Sequence, residues 1–204
     1  EYNSYMVYRK EKHILVDCDG VLMNWQYAFE LWMDERGYNV IEEYRDLYDQ
    51  HTRYGMTYPE MRYWIYAFNA SAAIGFLPPL RDSVYYIRKL QIEHGFTFKC
   101  ISALSKDKHA QKLRTRNIKM LFGKNTFDEF IYQDTGGDKQ EDLEQFRDSG
   151  LFWLEDKPAN AQLGKDMGLH SIMVAHEFNS EIEGIPRFWK WKDIYEHIIE
   201  NQYN

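Results

Sequence analysis

The chain has 204 residues, a net charge of −7 and 17% aromatic residues. That length fits one α/β domain with a modest insertion, and the acidic balance speaks against a surface that tracks the phosphates of long nucleic acid. No apolar run approaches the roughly 18 residues of a membrane span and the polar start lacks the hydrophobic region of a signal peptide, so no membrane association and a cytoplasmic location are expected. The two cysteines, Cys18 and Cys100, suggest neither a disulfide framework nor a zinc site.

The first predicted element is a short buried strand, Ile14–Val16, in the apolar run 13–16. Asp17-Cys18-Asp19-Gly20 follows it. Extending the strand's period of two places Asp17 and Asp19 on one side and Cys18 on the other, with Gly20 free to turn sharply. Two adjacent acids call for a cation, although a solvated strand end reads almost as well. An EF-hand loop does not fit, because the ligand ladder stops at Gly20 and turns apolar.

From about Asn24 to Gly75 the pattern is helical. Trp25, Phe29 and Trp32 recur at i, i+4, i+7, and Met61, Ile65 and Phe68 do the same, with Pro59 suited to a first helical turn. Residues 24–76 hold 14 of the 34 Phe, Trp and Tyr residues. A small helical segment needs large side chains for any core, so most of these are expected to pack. Some could instead line a pocket for a flat group, and Trp25 is the best placed.

After Pro78-Pro79 the chain alternates helix and strand. Helices are predicted at about Asp82–His94, Lys106–Leu121, Asp138–Asp148, Asn160–Met167 and Lys192–Asn201. Strands are predicted at Phe96–Ser102, Glu129–Tyr132, Leu151–Leu154 and Ser171–Val174. Glycines 95, 123, 150 and 168 fall between a helix and the next strand. This alternation predicts a parallel sheet covered on both faces, with its active site at the carboxyl ends of the strands. The fold class is therefore α/β, a three-layer Rossmann-like core formed by residues 1–23 and 77–204, with a small helical cap at 24–76. Phe188, Trp189 and Trp191 near the end are expected to pack on the core.

Further groups belong to the same sheet edge. Ser102 and the backbone N–H of Ala103 close the second strand, Lys139 opens a helix after the third, and Glu155-Asp156 close the fourth, with Asn160 just beyond. Each alone reads as an ordinary turn residue. Together they form a set of hard oxygen ligands suited to Mg²⁺, plus a hydroxyl and a lysine suited to a phosphoryl group. The run at Gly123-Lys124 lacks the first glycine and the feeding strand of a P-loop. A response-regulator receiver has similar groups but carries its phosphorylated aspartate on a middle strand.

In this order, DCDGVL at 17–22, ISAL at 101–104, Lys139 and LEDKPAN at 154–160 resemble the haloacid dehalogenase superfamily over nearly the whole chain. The resemblance implies that Asp17 attacks phosphorus to form an aspartyl-phosphate and that Asp19 acts as general acid and base. It further implies that Ser102 and Lys139 hold the phosphoryl group. Asp17, Asp156 and the carbonyl of Asp19 would bind Mg²⁺, with Glu155 and Asn160 behind them. Within the superfamily the chain is similar to the 5'(3')-deoxyribonucleotidases, which share an aromatic at the Trp25 position and an Asp-Lys pair like Asp138-Lys139. Departures are Glu155 for the usual aspartate, Ser102 for the usual threonine and a longer stretch between Lys139 and Glu155. A small phosphorylated substrate, a nucleoside monophosphate, is thus expected. A sugar phosphatase and a non-catalytic module that binds a phosphorylated ligand are the alternatives.

Overall fold

The computed structural model describes residues 12–202. Six strands form one parallel sheet: β1 His13–Val16, β2 Thr97–Ala103, β3 Phe127–Gln133, β4 Phe152–Glu155, β5 His170–Val174 and β6 Arg187–Phe188. Their spatial order is β3-β2-β1-β4-β5-β6. From β1 the chain builds outward through β2 and β3, then returns to the other side of β1 for β4. The order reverses between β1 and β4, and a ligand site is expected in the crevice beyond the carboxyl ends at such a point.

Both faces of the sheet are covered, which explains the uninterrupted apolar run of β1. Ile14 and Val16 face one cluster with Phe98, Cys100 and Leu154, packed beneath the helices α4 (Ser83–His94), α5 (Lys108–Phe122) and α8 (Trp191–Asn201). Leu15 faces the opposite cluster with Ile101 and Trp153, beside α6 (Gln140–Glu144) and α7 (Pro158–Asp166). The glycines after α4 and α5, Gly95 and Gly123, and those before β4 and β5, Gly150 and Gly168, all have positive φ.

Between β1 and α4 only helices occur: α1 Trp25–Asp34, α2 Gln50–Tyr54, α3 Tyr58–Asn69 and short 3-10 turns at Glu42–Tyr44 and Ala72–Gly75. Helix α3 starts with a capping box, in which Thr57 accepts from the Glu60 N–H and the Glu60 side chain accepts from the Thr57 N–H, with Pro59 in the first turn. Phe29 stacks against Trp25 at 4.6 Å and meets Phe68 edge-on at 5.4 Å, so the two aromatic stripes form one small core. The segment leaves and rejoins the sheet domain through adjacent chains, with Asn24 N–H bonded to Pro78 O and Leu80 N–H to Leu22 O, both at 2.8 Å.

Two expectations need correction, and one strand is new. Strand β6 was not foreseen, because two residues between turns carry no period. The helix expected over Asp138–Asp148 is confined to Gln140–Glu144; beyond it the chain turns, and Asp148 takes φ 57°. The closing aromatics do not share one fate: Trp191 is fully buried and donates to Val21 O at 2.9 Å, whereas Trp189 is exposed beneath the guanidinium of Arg81.

Candidate active site

Strand β1 ends at Val16, and a tight turn follows over 18–23. The Cys18 carbonyl accepts from the N–H groups of Val21, Leu22 and Met23. Gly20 has φ 75°, and a Cβ there would land on the carboxylate of Asp156, 2.8 Å from its Cγ. Glycine takes this left-handed backbone without strain and leaves room for the Asp156 carboxylate beside it.

The two aspartates have different partners. Asp17 Oδ1 is 3.0 Å from Lys139 Nζ and also accepts from the Cys18 N–H at 2.7 Å. Asp19 Oδ1 instead lies 3.0 Å from Arg114 of α5. Cys18 lies with Ile14 and Val16 in one buried cluster, as the alternation predicts.

Lys139, at the start of α6, is only 2% exposed and lies between two carboxylates, Asp17 and Glu155, the latter at 2.6 Å. Burial opposes its charge, but the carboxylates raise its pKa well above that of an ordinary lysine. Glu155, at the end of β4, is fully buried and has every lone-pair direction answered. Oε1 accepts from Lys139 and Asn160, and Oε2 from the N–H groups of Asp156 and Lys157. Burial alone would raise its pKa; Lys139 and these hydrogen bonds bring it below the usual carboxylate range. Glu155 therefore braces the loop that presents Asp156, and Asn160 braces Glu155.

Asp17 and Asp156 are in the opposite condition. Burial pushes the Asp17 carboxyl up to about 7 despite Lys139, with Glu155 and Asp19 adding to the rise. Asp156 is also raised, by burial and then by Glu155 and Asp17. Carboxylate oxygens of Asp17, Glu155 and Asp156 lie within 4.8 Å of one another. With the charge of Glu155 matched by Lys139, Asp17 and Asp156 remain as two crowded oxygen donors short of positive charge. A hard divalent cation such as Mg²⁺, which takes one or two carboxylates and keeps waters, fits that donor set.

Ser102 is buried at the end of β2, its hydroxyl 3.4 Å from the Ala103 carbonyl, and Ala103 is the last residue of that strand. Trp25 opens α1. Its indole N–H donates to Asn69 at 2.9 Å, and Asn69 in turn donates to the Leu104 carbonyl and to Thr135. The Trp25–Asn69 pair thereby ties the helical segment to the loop after β2. Buried Arg53 spends its guanidinium on Glu30 and the carbonyls of Arg45 and Leu47, so it braces the helical segment.

Three further neighbours were not anticipated. Arg114 lies on the inward stripe of α5 with Ala110, Asn117 and Ile118, and that spacing was readable in the sequence. His176 follows β5, and its Nε2 lies 2.7 Å from the Gly20 carbonyl. That oxygen only accepts, so Nε2 carries the proton, while Nδ1 faces Arg81 at 3.4 Å. Tyr48, from the loop before α2, meets Phe178, whose ring stacks on His176 at 5.1 Å. Half of the Tyr48 side chain is exposed; desolvation of its phenol and then the carboxylates of Asp156, Glu155 and Asp17 raise its pKa.

Burial lowers the His176 pKa to about 4, with Arg81 and Arg187 opposing its charge while the Gly20 carbonyl favours it. An unfolded histidine titrates near 6.5. Between these values the unfolded chain binds more protons, so His176 contributes stability above about pH 6.5 that is lost as pH falls towards about 4, up to about 3 kcal/mol. Chemical denaturation of wild type and His176→Gln across this window should show the wild type losing more stability on acidification. Parallel curves would contradict the assignment.

Solved structures with this arrangement of strands and helices are numerous. An L-2-haloacid dehalogenase matches with TM-score 0.58 and 12% identity, over 92% of this chain and 99% of that one. The fold is haloacid dehalogenase-like. The magnesium-bound HAD-hydrolase YfnB from Bacillus subtilis matches with TM-score 0.58 and 15% identity, over 93% of this chain and 99% of that one. D,D-heptose 1,7-bisphosphate phosphatase from Burkholderia thailandensis matches with TM-score 0.56 and 10% identity, over 93% and 99%. No protein-family model matches the chain, and no curated protein matches it in sequence. In this HAD-like fold the acidic cluster lies at the carboxyl edge of the sheet, where β1 and β4 adjoin. Among the described residues no helix is long and apolar enough to cross a membrane.

Proposed function

We propose that this chain is a Mg²⁺-dependent phosphomonoesterase that works through an aspartyl-phosphate on Asp17. The observation that carries this reading is the buried Lys139 between Asp17 and Glu155, with Asp156 alongside. This is a nucleophile that shares a buried lysine with Glu155 and forms, with Asp156, a pair of acids suited to a divalent ion. Asp17 and Asp156 would hold the Mg²⁺, together with the Asp19 carbonyl. Its chemistry when bound is to neutralise charge on the transferring phosphoryl group.

The chain's own groups do the rest. Asp17 attacks phosphorus as the ester oxygen departs, and Asp19 gives that oxygen a proton. Asp19 then takes a proton from the water that attacks phosphorus, which returns Asp17 to a free carboxylate and yields phosphate. Lys139, Ser102 and the N–H of Ala103 hold the phosphoryl oxygens through both steps. The presence of Asp19 favours ester cleavage over dehalogenation, because a departing halide needs no proton. The same residue counts against a module that merely binds a phosphorylated ligand.

The substrate we favour is a nucleoside monophosphate in the cytoplasm. Helices 24–76 act as the cap and the half-buried Trp25, stacked on Phe29 and edge-on to Phe68, offers its remaining ring surface to the base. The commitment of the Trp25 N–H to Asn69 keeps a sugar phosphate as the second reading. A panel of nucleotides, sugar phosphates and aryl phosphates, assayed for phosphate release with and without Mg²⁺, tests both. Trp25→Ala should reduce kcat/KM about tenfold or more for nucleotides and leave an aryl phosphate within about twofold, as expected for losing one stacking contact. Equal losses would make Trp25 a packing residue and favour the sugar phosphate.

A further inference from the structure

Arg114 is the unexplained charge of this molecule. It is 0% exposed, and its ion pair is with Asp19 Oδ1 at 3.0 Å. Its Nε, NH1 and NH2 make no well-formed hydrogen bond among the described residues. Cys18, Cys100 and Tyr132 surround it, and the Tyr132 hydroxyl is taken by Thr115 at 2.7 Å. A guanidinium buried with so few partners is poor material for stability, since apolar residues of similar volume usually replace buried ion pairs without loss. What the arginine does achieve is orientation. Asp19 Oδ1 is buried against it, so the 26% exposure of the Asp19 side chain lies with the remainder of the carboxylate.

We infer that Arg114 is the positioning residue for the proposed acid: it holds Asp19 by Oδ1 and leaves Oδ2 for the oxygen of the departing alcohol. The inference rests on the phosphomonoesterase reading and deepens it. Arg114 and Lys139 then act as a pair of clamps, each holding one of two neighbouring aspartates that would otherwise compete for the same cation. Helix α5 is fixed for this task. Asp107 caps its start by accepting from the His109 N–H at 2.8 Å, and Asn117 bonds the Leu77 backbone on both sides.

A positioned general acid matters when the leaving group is poor and hardly at all when it departs unaided. The test is therefore the ratio of kcat/KM for an alkyl phosphate to that for 2,4-dinitrophenyl phosphate, a ratio independent of how much protein is folded. In Arg114→Met it should fall about 100-fold, within the range that general acids contribute, and Arg114→Lys should recover part of it. An unchanged ratio in Arg114→Met, with the wild type active, overturns the positioning role and leaves the phosphomonoesterase reading standing. A wild type that hydrolyses neither ester overturns both.

Discussion

Lys139→Met should destabilise the protein by about 3–5 kcal/mol, the usual cost of removing one partner from a buried ion pair. Lys139 is almost wholly buried, and on either side it meets a carboxylate that is itself buried. Methionine fills the space of the aliphatic stem but leaves Glu155 as a charge without a counter-ion. The loop to Asp156 depends on Glu155, which accepts from the backbone of Asp156 and Lys157. A shift of the denaturation midpoint measures the effect. Adding Glu155→Gln to the variant should recover part of the loss, because the neutral amide no longer needs a cation. A loss below about 1 kcal/mol for Lys139→Met would show that the strut is not structural, since exposed pairs contribute only that much.

Asp17→Asn should reduce phosphate release by a factor of at least about 10⁴ and leave the fold intact. The asymmetry follows from its environment. Burial and neighbouring acids raise the Asp17 pKa to about 7, so the charge needed to attack phosphorus is a strain on the folded chain. An uncharged amide of the same shape relieves that strain but cannot attack. Melting temperatures of the two proteins should agree within a few degrees or favour the variant. A variant that loses activity only by unfolding would not support the nucleophile, and one that keeps substantial activity would exclude it.

Much of this site was legible in the sequence because strands expose their ends in order. Asp17, Ser102 and Asp156 each follow or close a short apolar run, and the alternation with helices fixes which edge of the sheet those ends share. The direction of Asp19 was not legible. It depends on Arg114, a partner 95 residues further along the chain. Arg114 was within reach, since α5 was foreseen and its inward stripe of Ala110, Arg114 and Ile118 puts a charge where an apolar residue belongs.

His176, Phe178 and Tyr48 were beyond reach. His176 reaches Gly20 and Tyr48 reaches Phe178 across long sequence separations, and the loops that carry them have no period. Trp25 shows the same limit in another form. Its position in α1 was foreseen, but its bond to Asn69 joins residues 44 apart. The fold-level likeness to dehalogenases and phosphatases comes with low identity, so the chemistry proposed here rests on the side chains at the sheet edge.

The most direct test of the central claim is to trap the covalent intermediate. Protein mixed with a phosphomonoester and Mg²⁺, quenched in acid within the first turnover and mapped by peptide mass spectrometry, should carry one phosphoryl group on Asp17. That label should be released by hydroxylamine, as an acyl phosphate is, and be absent from Asp17→Asn. Phosphate release by wild type with the label on another residue, or with phosphorylated protein surviving in Asp17→Asn, would contradict the account.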